Sequence, residues 1–414
     1  AAEANEYERF GIQMAAAKVN WTGVHAHIHE AIAHIAPHDS QERFEEMGCD
    51  VYRGHAHFTG PRTVEVDGVA LTAPKIVIAT GSEPMVPPIE GLDSVPYLTN
   101  ENIWDLDQLP QHLVIIGGGV IGMEMAQSFR RLGSEVTIIE PGELMGRDDP
   151  GSVAVVVEQM KAEGVMFVKG TAAKVTPGVL ASLSVTLEDG QEVAGTHLLI
   201  ATGRKARTEG YGLEEIGVEL GRNGIKVDAR RRTNLKHIYA IGDCREGPRL
   251  THVSGYEGSN VALEITLGVP TKVDWSALPW CTYTDPEVAQ IGMTEAQARE
   301  ELGDKVTVVR EGFDHNERAI AEGDTRGHLK VVMVGKKVLG ASIVGKNAGE
   351  MLLPFTQAIT GKASTFAMGS AIIAYPTRSE ITKAAAFSAW EGTVFGSVPR
   401  GYARTRAWFR KTLR

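Results

Sequence analysis

Cysteine is scarce in this 414-residue chain: Cys49, Cys244 and Cys281 are the whole supply. They lie far apart and form no C-x-x-C or zinc-ligand spacing, which excludes a disulfide-scaffolded domain and a structural zinc site. Thiols this sparse suit a reducing compartment, so a cytoplasmic location is expected. Long hydrophobic runs are missing too: no apolar stretch approaches membrane-span length, and no signal-peptide pattern is read at the start. Positive charge is not in excess. A net charge of −10 gives the body of the chain no reason to bind nucleic acid. The remainder, 43% hydrophobic and 23% charged, is ordinary for a soluble globular protein, and the length allows two or three domains.

What is present is most concentrated at Leu113 to Gly122, LVIIGGGVIG. An apolar run leads directly into G-x-G-x-x-G at Gly117, Gly119 and Gly122, and about 20 residues later VTIIE ends in Glu140. Strand, glycine turn, helix, second strand and terminal acid together form a dinucleotide fingerprint. Gly117 allows the tight turn, Gly119 lets backbone amides approach a pyrophosphate, and Gly122 lets the helix lie close to the strand. The helix N-terminus offers unpaired N–H groups and a positive dipole end. Glu140 would accept hydrogen bonds from a ribose 2′-OH and repel a 2′-phosphate, so NAD(H) is expected rather than NADP(H).

The chain opens with AAEANEYERFGI, which reads as the middle of a helix. A second helical pattern runs from about Trp21 to Ala36, with Val24, Ile28, Ile32 and Ile35 as its apolar positions. Pro37 is expected to end it, and Asp39 or Ser40 to cap a short helix reaching about Met47. His25, His27, His29, His34 and His38 fall in this stretch. His25 and His29 are spaced i, i+4, but no carboxylate or further ligand is fixed by spacing; a solvated helix face is expected and no metal site.

Short β-rich runs follow: DVYRGHAHF, TVEVDG and KIVIATG, the last ending in Ala79-Thr80-Gly81. Pro84, Pro87 and Pro88 argue against a regular helix or central strand after it. A second strand ending in A-T-G occurs in HLLIATGRKAR, His197 to Arg207. Two such strands, one on each side of the glycine fingerprint, suggest two related nucleotide-binding units with the second inserted in the first. HIYAIGDC carries Asp243 at the carboxyl end of another strand. There it could accept hydrogen bonds from a sugar-alcohol hydroxyl, or serve equally well as a helix-cap or turn aspartate.

In combination and in order, GHAHF, IVIATGSEP, VIIGGGVIGMEMA, LLIATGR, IYAIGDC, YTDPEVAQIGMTE and YPTRSE resemble the FAD-dependent pyridine nucleotide–disulfide oxidoreductases. The resemblance spans almost the whole chain, and VTIIEPGELMGRDDP and PWCTYTDPEVAQIG look nearest to the mercuric-reductase-like and dihydrolipoamide-dehydrogenase-like branch. It implies an α/β protein with two Rossmann-like nucleotide-binding domains, the first incomplete, and a C-terminal α+β dimerisation domain. It further implies FAD lined by Thr80, Gly81 and Asp243, with Asp243 on the ribitol, Ala56 near the adenine of FAD and His252 near the flavin. NAD would be framed by Gly117, Gly119, Gly122, Glu140, Val175 and Gly203, with Glu124 near the flavin-facing end of the nicotinamide site.

Two departures stand beside these matches. The family's own first G-x-G-x-x-G unit and its C-x-x-x-x-C redox pair are not in this sequence; a βαβ unit takes about 30 residues, and the chain is expected to begin internally, a short paralogue being the alternative. Where thiol-active branches carry His-Pro-Thr and a following Glu, this chain has Tyr375, Pro376, Thr377 and Glu380. A phenol of pKa about 10 is a poor general base at neutral pH beside an imidazole of about 6.5. Tyr375 could donate a hydrogen bond, help to bind a metal substrate, or simply pack at a domain interface.

The resulting organisation is an FAD-binding domain over 1–109 and 241–274, an NAD-binding domain over 110–240 and an interface domain over 275–396. VTVVREGF, LKVVMVG and VLGASIVG are its expected antiparallel strands, and a homodimer is expected to bring Tyr375 and Glu380 to the partner's flavin. The tail 397–414 is basic, with Tyr402, Trp408 and Phe409 interleaved. A helix docked on the acidic body is the expectation, with an acidic partner or an anionic membrane surface as alternatives. Functionally, the expectation is a flavoenzyme passing electrons from NADH via FAD to a disulfide, metal ion or other acceptor. A thiol-independent transhydrogenase or diaphorase, and a non-catalytic nucleotide-binding protein, are the alternatives.

Overall fold

The computed structural model describes residues 10–13, 18–179 and 182–412; the helix expected over the opening residues falls largely outside them. Helix α1 (Trp21–Ile35) is capped by Asn20, whose side chain accepts from Gly23 N. Trp21 anchors it: Nε1 donates to Leu106 O at 2.9 Å, and the ring lies 5.9 Å from that of Phe129. Further along, Ile32 and Ile35 of the expected apolar stripe are exposed. The α-helix ends at Ile35, just before Pro37, as expected. Pro37 opens a 3-10 segment, Ala36–Asp39, because a missing N–H costs nothing at a helix start. Ser40 then caps α2 (Gln41–Glu46) by accepting from Arg43 N.

Strands β1 (Ala56–Gly60), β2 (Thr63–Val66) and β3 (Val69–Thr72) form an antiparallel meander. β4 (Ile76–Ile78) pairs in parallel with β16 (Ile238–Ala240), and β5 (Ser82–Pro84) pairs antiparallel with β13 (Arg204–Ala206). Pro84 thus lies in a short strand that is not a central one, consistent with the expectation. It is tolerated because the pair is two-stranded and exposes an edge that needs no donor.

The nucleotide domain is built on a four-stranded parallel sheet of order β12-β6-β7-β8: β6 (His112–Ile116), β7 (Glu135–Glu140), β8 (Met166–Lys169) and β12 (His197–Ile200). Leu113, Val114 and Ile115 are wholly buried, as the unbroken apolar run requires of a strand covered on both faces. Helix α3 (Val120–Leu132) crosses from β6 to β7 and ends at the left-handed Gly133. Helix α4 (Pro150–Ala162) starts at Asp149, whose carboxylate accepts from Gly151 and Ser152 N. Strands β9 (Ala172–Pro177), β10 (Leu183–Leu187) and β11 (Glu192–Gly195) form an antiparallel sheet between β8 and β12 in the chain, an element the sequence reading did not resolve. A small hairpin, β14 (Leu220–Gly221) with β15 (Gly224–Ile225), precedes β16, and α5 (Thr251–Leu267) follows it.

The C-terminal domain holds a five-stranded antiparallel sheet of order β17-β18-β21-β20-β19. Its strands are β17 (Pro279–Thr282), β18 (Glu287–Gly292), β19 (Val306–Gly312), β20 (His328–Val334) and β21 (Lys337–Gly345), the last three being those expected. Helices α6 (Glu295–Leu302) and α7 (Glu317–Ala321) lie between strands; α8 (Leu353–Ile359), α9 (Thr365–Ser370), α10 (Glu380–Ser388), α11 (Glu391–Val394) and α12 (Ser397–Thr412) follow. Ile291, Leu329 and Ile343 pack against Phe355 and Ile381 on one face. On the other, Val288 and Val344 join the core of the nucleotide domain with Phe129 and Val156. Buried Lys330 donates to Asp149 at 2.6 Å across the same contact. The basic tail corrects an expectation: α12 has no buried residue and is not docked on the acidic body.

Candidate functional site

The glycine turn has the geometry a dinucleotide pyrophosphate requires. Gly117 has φ +111°, and a Cβ there would meet Ala201 O at 2.4 Å. A Cβ on Gly122 would come within 2.0 Å of Gly117 O, so only glycine lets α3 start this close to β6. At Gly119 a Cβ would meet nothing within 4 Å: this side of the turn is open. Glu140, at the end of β7, accepts from Gly118 N at 2.7 Å and from Gly142 N at 2.8 Å. Each oxygen keeps lone-pair capacity, so the held carboxylate can still accept ribose hydroxyls. Gly117, Gly119 and Glu140 line a cavity of about 620 Å³ that also includes Gly170, Thr171, Ala172, Gly203, Arg204 and Arg249, a size suited to a cofactor.

The two A-T-G segments prove to be paired. Thr80 Oγ1 donates to Arg207 O and Thr202 Oγ1 to Met85 O, both at 2.6 Å. Arg207 N donates to Gly81 O while Met85 N donates to Gly203 O. Each strand end is clamped by the other through a quasi-symmetric set of bonds, and β5–β13 zips the two domains together at their cofactor edges.

A second cavity, about 500 Å³, opens on the other side of this clamp. Ala79, Gly81, Gly242 and Asp243 line it, with Leu250, Thr251 and Ser254 at the start of α5. Asp243 Oδ2 accepts from Ser82 Oγ at 2.7 Å and lies 3.8 Å from Arg204 Nε. Its turn is fixed from below: Gly242 N donates to fully buried Glu257, which also takes Arg231 and Arg245. Both guanidinium groups lie over Trp275, at 4.7 and 4.6 Å from the ring centroid. Arg204 and Arg249 line both cavities, so the two adjoin. An acceptor carboxylate, two guanidinium donors and open space beside Gly81 (φ +73°) fit the ribitol and phosphate part of FAD.

Other expected site residues fall elsewhere. Glu124, one turn into α3, does not line the nucleotide cavity; its Oε1 accepts from Tyr283 N at 2.7 Å, tying α3 to the C-terminal domain. Burial pushes its pKa up, partly offset by that bond. Val175 is a core residue of β9, packed with Val185 and Leu187. Ala56 is half-buried at the start of β1, and His252 Nε2 meets Pro279 O at 2.8 Å rather than lining the Asp243 cavity. Tyr375 is 66% exposed and its hydroxyl donates to Glu317, not to Glu380. That bond pushes the phenol pKa up, whereas Glu380 accepts from Thr377 N. Tyr375 and Glu380 are therefore not bonded to each other within one chain.

Sequence reasoning missed Arg204, Arg249, Ser82 and Asp148. Ser82 and Arg204 each follow an A-T-G directly, which was a usable signal; Arg249 and Asp148 had none. Asp148 lines the nucleotide cavity, accepts from Trp280 Nε1 at 2.8 Å and has its pKa raised to about 6, chiefly by burial. Two of the three thiols are held protonated at neutral pH: burial raises the pKa of Cys244, and burial with Glu287 nearby pushes Cys281 up to about 12. His25 and His29 are less solvated than expected, their Nε2 atoms 3.0 Å apart, but among the described residues no group of three or more His, Cys, Asp or Glu side chains is arranged to hold a metal.

A parallel sheet with its glycine turn, facing a second sugar-phosphate cavity across shared arginines, defines a two-nucleotide redox enzyme. Residues 7–258 match the pyridine nucleotide-disulphide oxidoreductase family and 278–386 its dimerisation domain, and the chain belongs to that family. A mercuric reductase of Lysinibacillus sphaericus is 34% identical over 385 residues, 91% of this chain and 70% of that protein. A dihydrolipoyl dehydrogenase of Thermus scotoductus is 37% identical over 347 residues, 80% of this chain and 73% of that protein. The crystal structure of LpdA from Mycobacterium tuberculosis superimposes with a TM-score of 0.83 at 26% identity, over 94% of this chain and 86% of that one. The protein is an FAD-dependent oxidoreductase of the kind that uses NAD(P)H. Among the described residues no helix is long and apolar enough to cross a membrane.

Proposed function

We propose that this protein takes electrons from NADH in preference to NADPH and delivers them to a metal ion or a disulfide, as a cytoplasmic homodimer. The adjoining of the two cavities at Arg204 and Arg249 carries this reading, because two cofactors bound in them would be neighbours. When bound, FAD supplies the two-electron chemistry between nicotinamide and acceptor. The amides of Gly117 to Gly122 and the α3 N-terminus hold the NADH pyrophosphate. Glu140 takes the ribose hydroxyls, and Glu143 beside it adds repulsion against a 2′-phosphate. Asp243 holds the ribitol of FAD, Thr80 and Gly81 present backbone to it, and the Ala56 strand and His252 flank its ends.

In the proposed division, the FAD-binding domain comprises 1–109 and 241–274, the NAD-binding domain 110–240 and the interface domain 275–396. Exposed Leu353, Phe366, Ile372 and Tyr375 on the last support burial against a second copy. Mercuric reductase and dihydrolipoyl dehydrogenase among the relatives favour a metal ion or a disulfide as acceptor. The second reading, a thiol-independent diaphorase, is favoured by the raised thiol pKa values of Cys244 and Cys281.

Anaerobic titration of the FAD-loaded protein tests the reading: NADH should bleach the flavin absorbance at lower concentration than NADPH. Glu140→Ala should weaken NADH binding by about 1.5–3 kcal/mol, the value of a hydrogen bond to a charged group. Equal response to both nucleotides in the unmodified protein would overturn the NADH assignment.

A further inference from the structure

Helix α12 covers 16 residues, Ser397–Thr412, none of them buried and all but Pro399 exposed. Val398, Tyr402 and Phe409 are four and seven residues apart and so share one helix face, with Trp408 at its border. These four side chains are between 52 and 80% exposed. Arg400, Arg404 and Lys411 lie together on one flank, Arg406 and Arg410 on the other, and no acidic residue follows Glu391. The hydrogen bonds of Thr405 and Thr412 stay inside the helix, and Trp408 and Phe409 contact each other edge to face at 5.0 Å. An apolar stripe flanked by cations matches a surface with acyl chains beneath anionic headgroups. A merely acidic protein face would leave the stripe uncovered.

We propose that α12 is an interfacial helix that holds this enzyme on an anionic phospholipid bilayer. Its apolar face enters the boundary between headgroups and acyl chains, Trp408 sits at headgroup level, and the arginines reach lipid phosphates. The opposite sign of the whole chain, net −10, keeps the enzyme body off the surface, so contact is confined to the helix. The oxidoreductase would then work beside the membrane, where lipid-soluble acceptors are concentrated.

Flotation of the full protein with phosphatidylcholine vesicles, with and without phosphatidylglycerol, is the direct test. Binding is expected to the anionic vesicles alone and should fall in 1 M salt, where the Debye length is about 3 Å. Arg404→Gln with Arg406→Gln should lower the partition coefficient about 25-fold, roughly fivefold per cation. Trp408→Ala with Phe409→Ala should abolish binding while the thermal melt and NADH affinity stay unchanged. Quenching by brominated lipids, taken as the difference from Trp408→Phe, should place this ring in the bilayer. Three outcomes would overturn the proposal: equal binding to neutral vesicles, binding with Trp408 unquenched, or no vesicle binding with deletion of 397–414 turning a dimer into monomers. The last would assign the helix to a second copy.

Discussion

The two cofactor cavities of this protein are built by different means. On the nucleotide side four parallel strands, buried on both faces, end in a turn whose working parts are backbone: three glycines and the amides they free. On the flavin side the Asp243 turn rests on side chains, the Glu257, Arg231, Arg245 and Trp275 stack. A backbone-built site tolerates almost any neighbouring side chain but no added Cβ at Gly117 or Gly122. A site built on buried charge tolerates small steric change but no loss of a charge.

Glu257→Gln puts the second half of that contrast to its hardest test. The substitution keeps the shape and leaves Arg231 and Arg245 buried without a carboxylate, at a cost of about 3–5 kcal/mol. Urea denaturation should show this loss together with weakened FAD binding; an unchanged midpoint would mean the stack is not what supports Asp243. Gly122→Ala strikes the other side. Its Cβ would meet a backbone carbonyl that cannot rotate away, so a cost of about 3 kcal/mol is expected, with NADH binding lost and FAD retained. Parallel titrations with the two cofactors would reveal a common loss, which would dissolve the distinction.

Asp148 offers an effect that is read through pH. Its pKa rises from 3.8 to about 6 on folding, so the folded state binds this proton more tightly than the unfolded chain. That contribution is fully present below the unfolded pKa and is lost as pH climbs through 6. Asp148→Asn, still able to accept from Trp280, should be more stable than the parent at pH 7 by about 3 kcal/mol. The advantage should vanish near pH 4; a pH-independent difference would exclude titration of Asp148 as its source. The smallest change is expected at Tyr375, far from either cavity's machinery within one chain. With its phenol donating to Glu317 and its pKa raised, it stays protonated at neutral pH. Tyr375→Phe should leave flavin reduction by NADH unaltered and slow acceptor reduction less than about tenfold. Stopped-flow separation of the half-reactions would expose a loss near a thousandfold in the second, which would make the tyrosine a general base.

Legibility in the sequence followed the range of the interactions. The glycine turn and Glu140 were readable because strand, turn, helix and strand follow one another along the chain. The strands β19, β20 and β21 were readable from composition and turns. Arg249 was not, since only the fold brings it to Arg204 and to the mouth of both cavities. Val175 and Glu124 were assigned to the nucleotide site by resemblance; one packs in the core and the other braces two domains.

By itself the sequence determined where glycine alone can stand, which runs are buried strands, and the two-faced character of the last helix. Positive φ, close backbone approach and periodicity are properties of neighbouring residues, so they are written locally. Only the tertiary structure decided that the two A-T-G ends clamp each other, that Cys244 is buried and Cys281 half-buried with their thiol pKa values raised, and that Tyr375 pairs with Glu317. It also decided that α12 stands free of the acidic body. Each of these depends on which distant segments share a low-dielectric interior or a surface, and desolvation and packing are set by that meeting rather than by the order of residues.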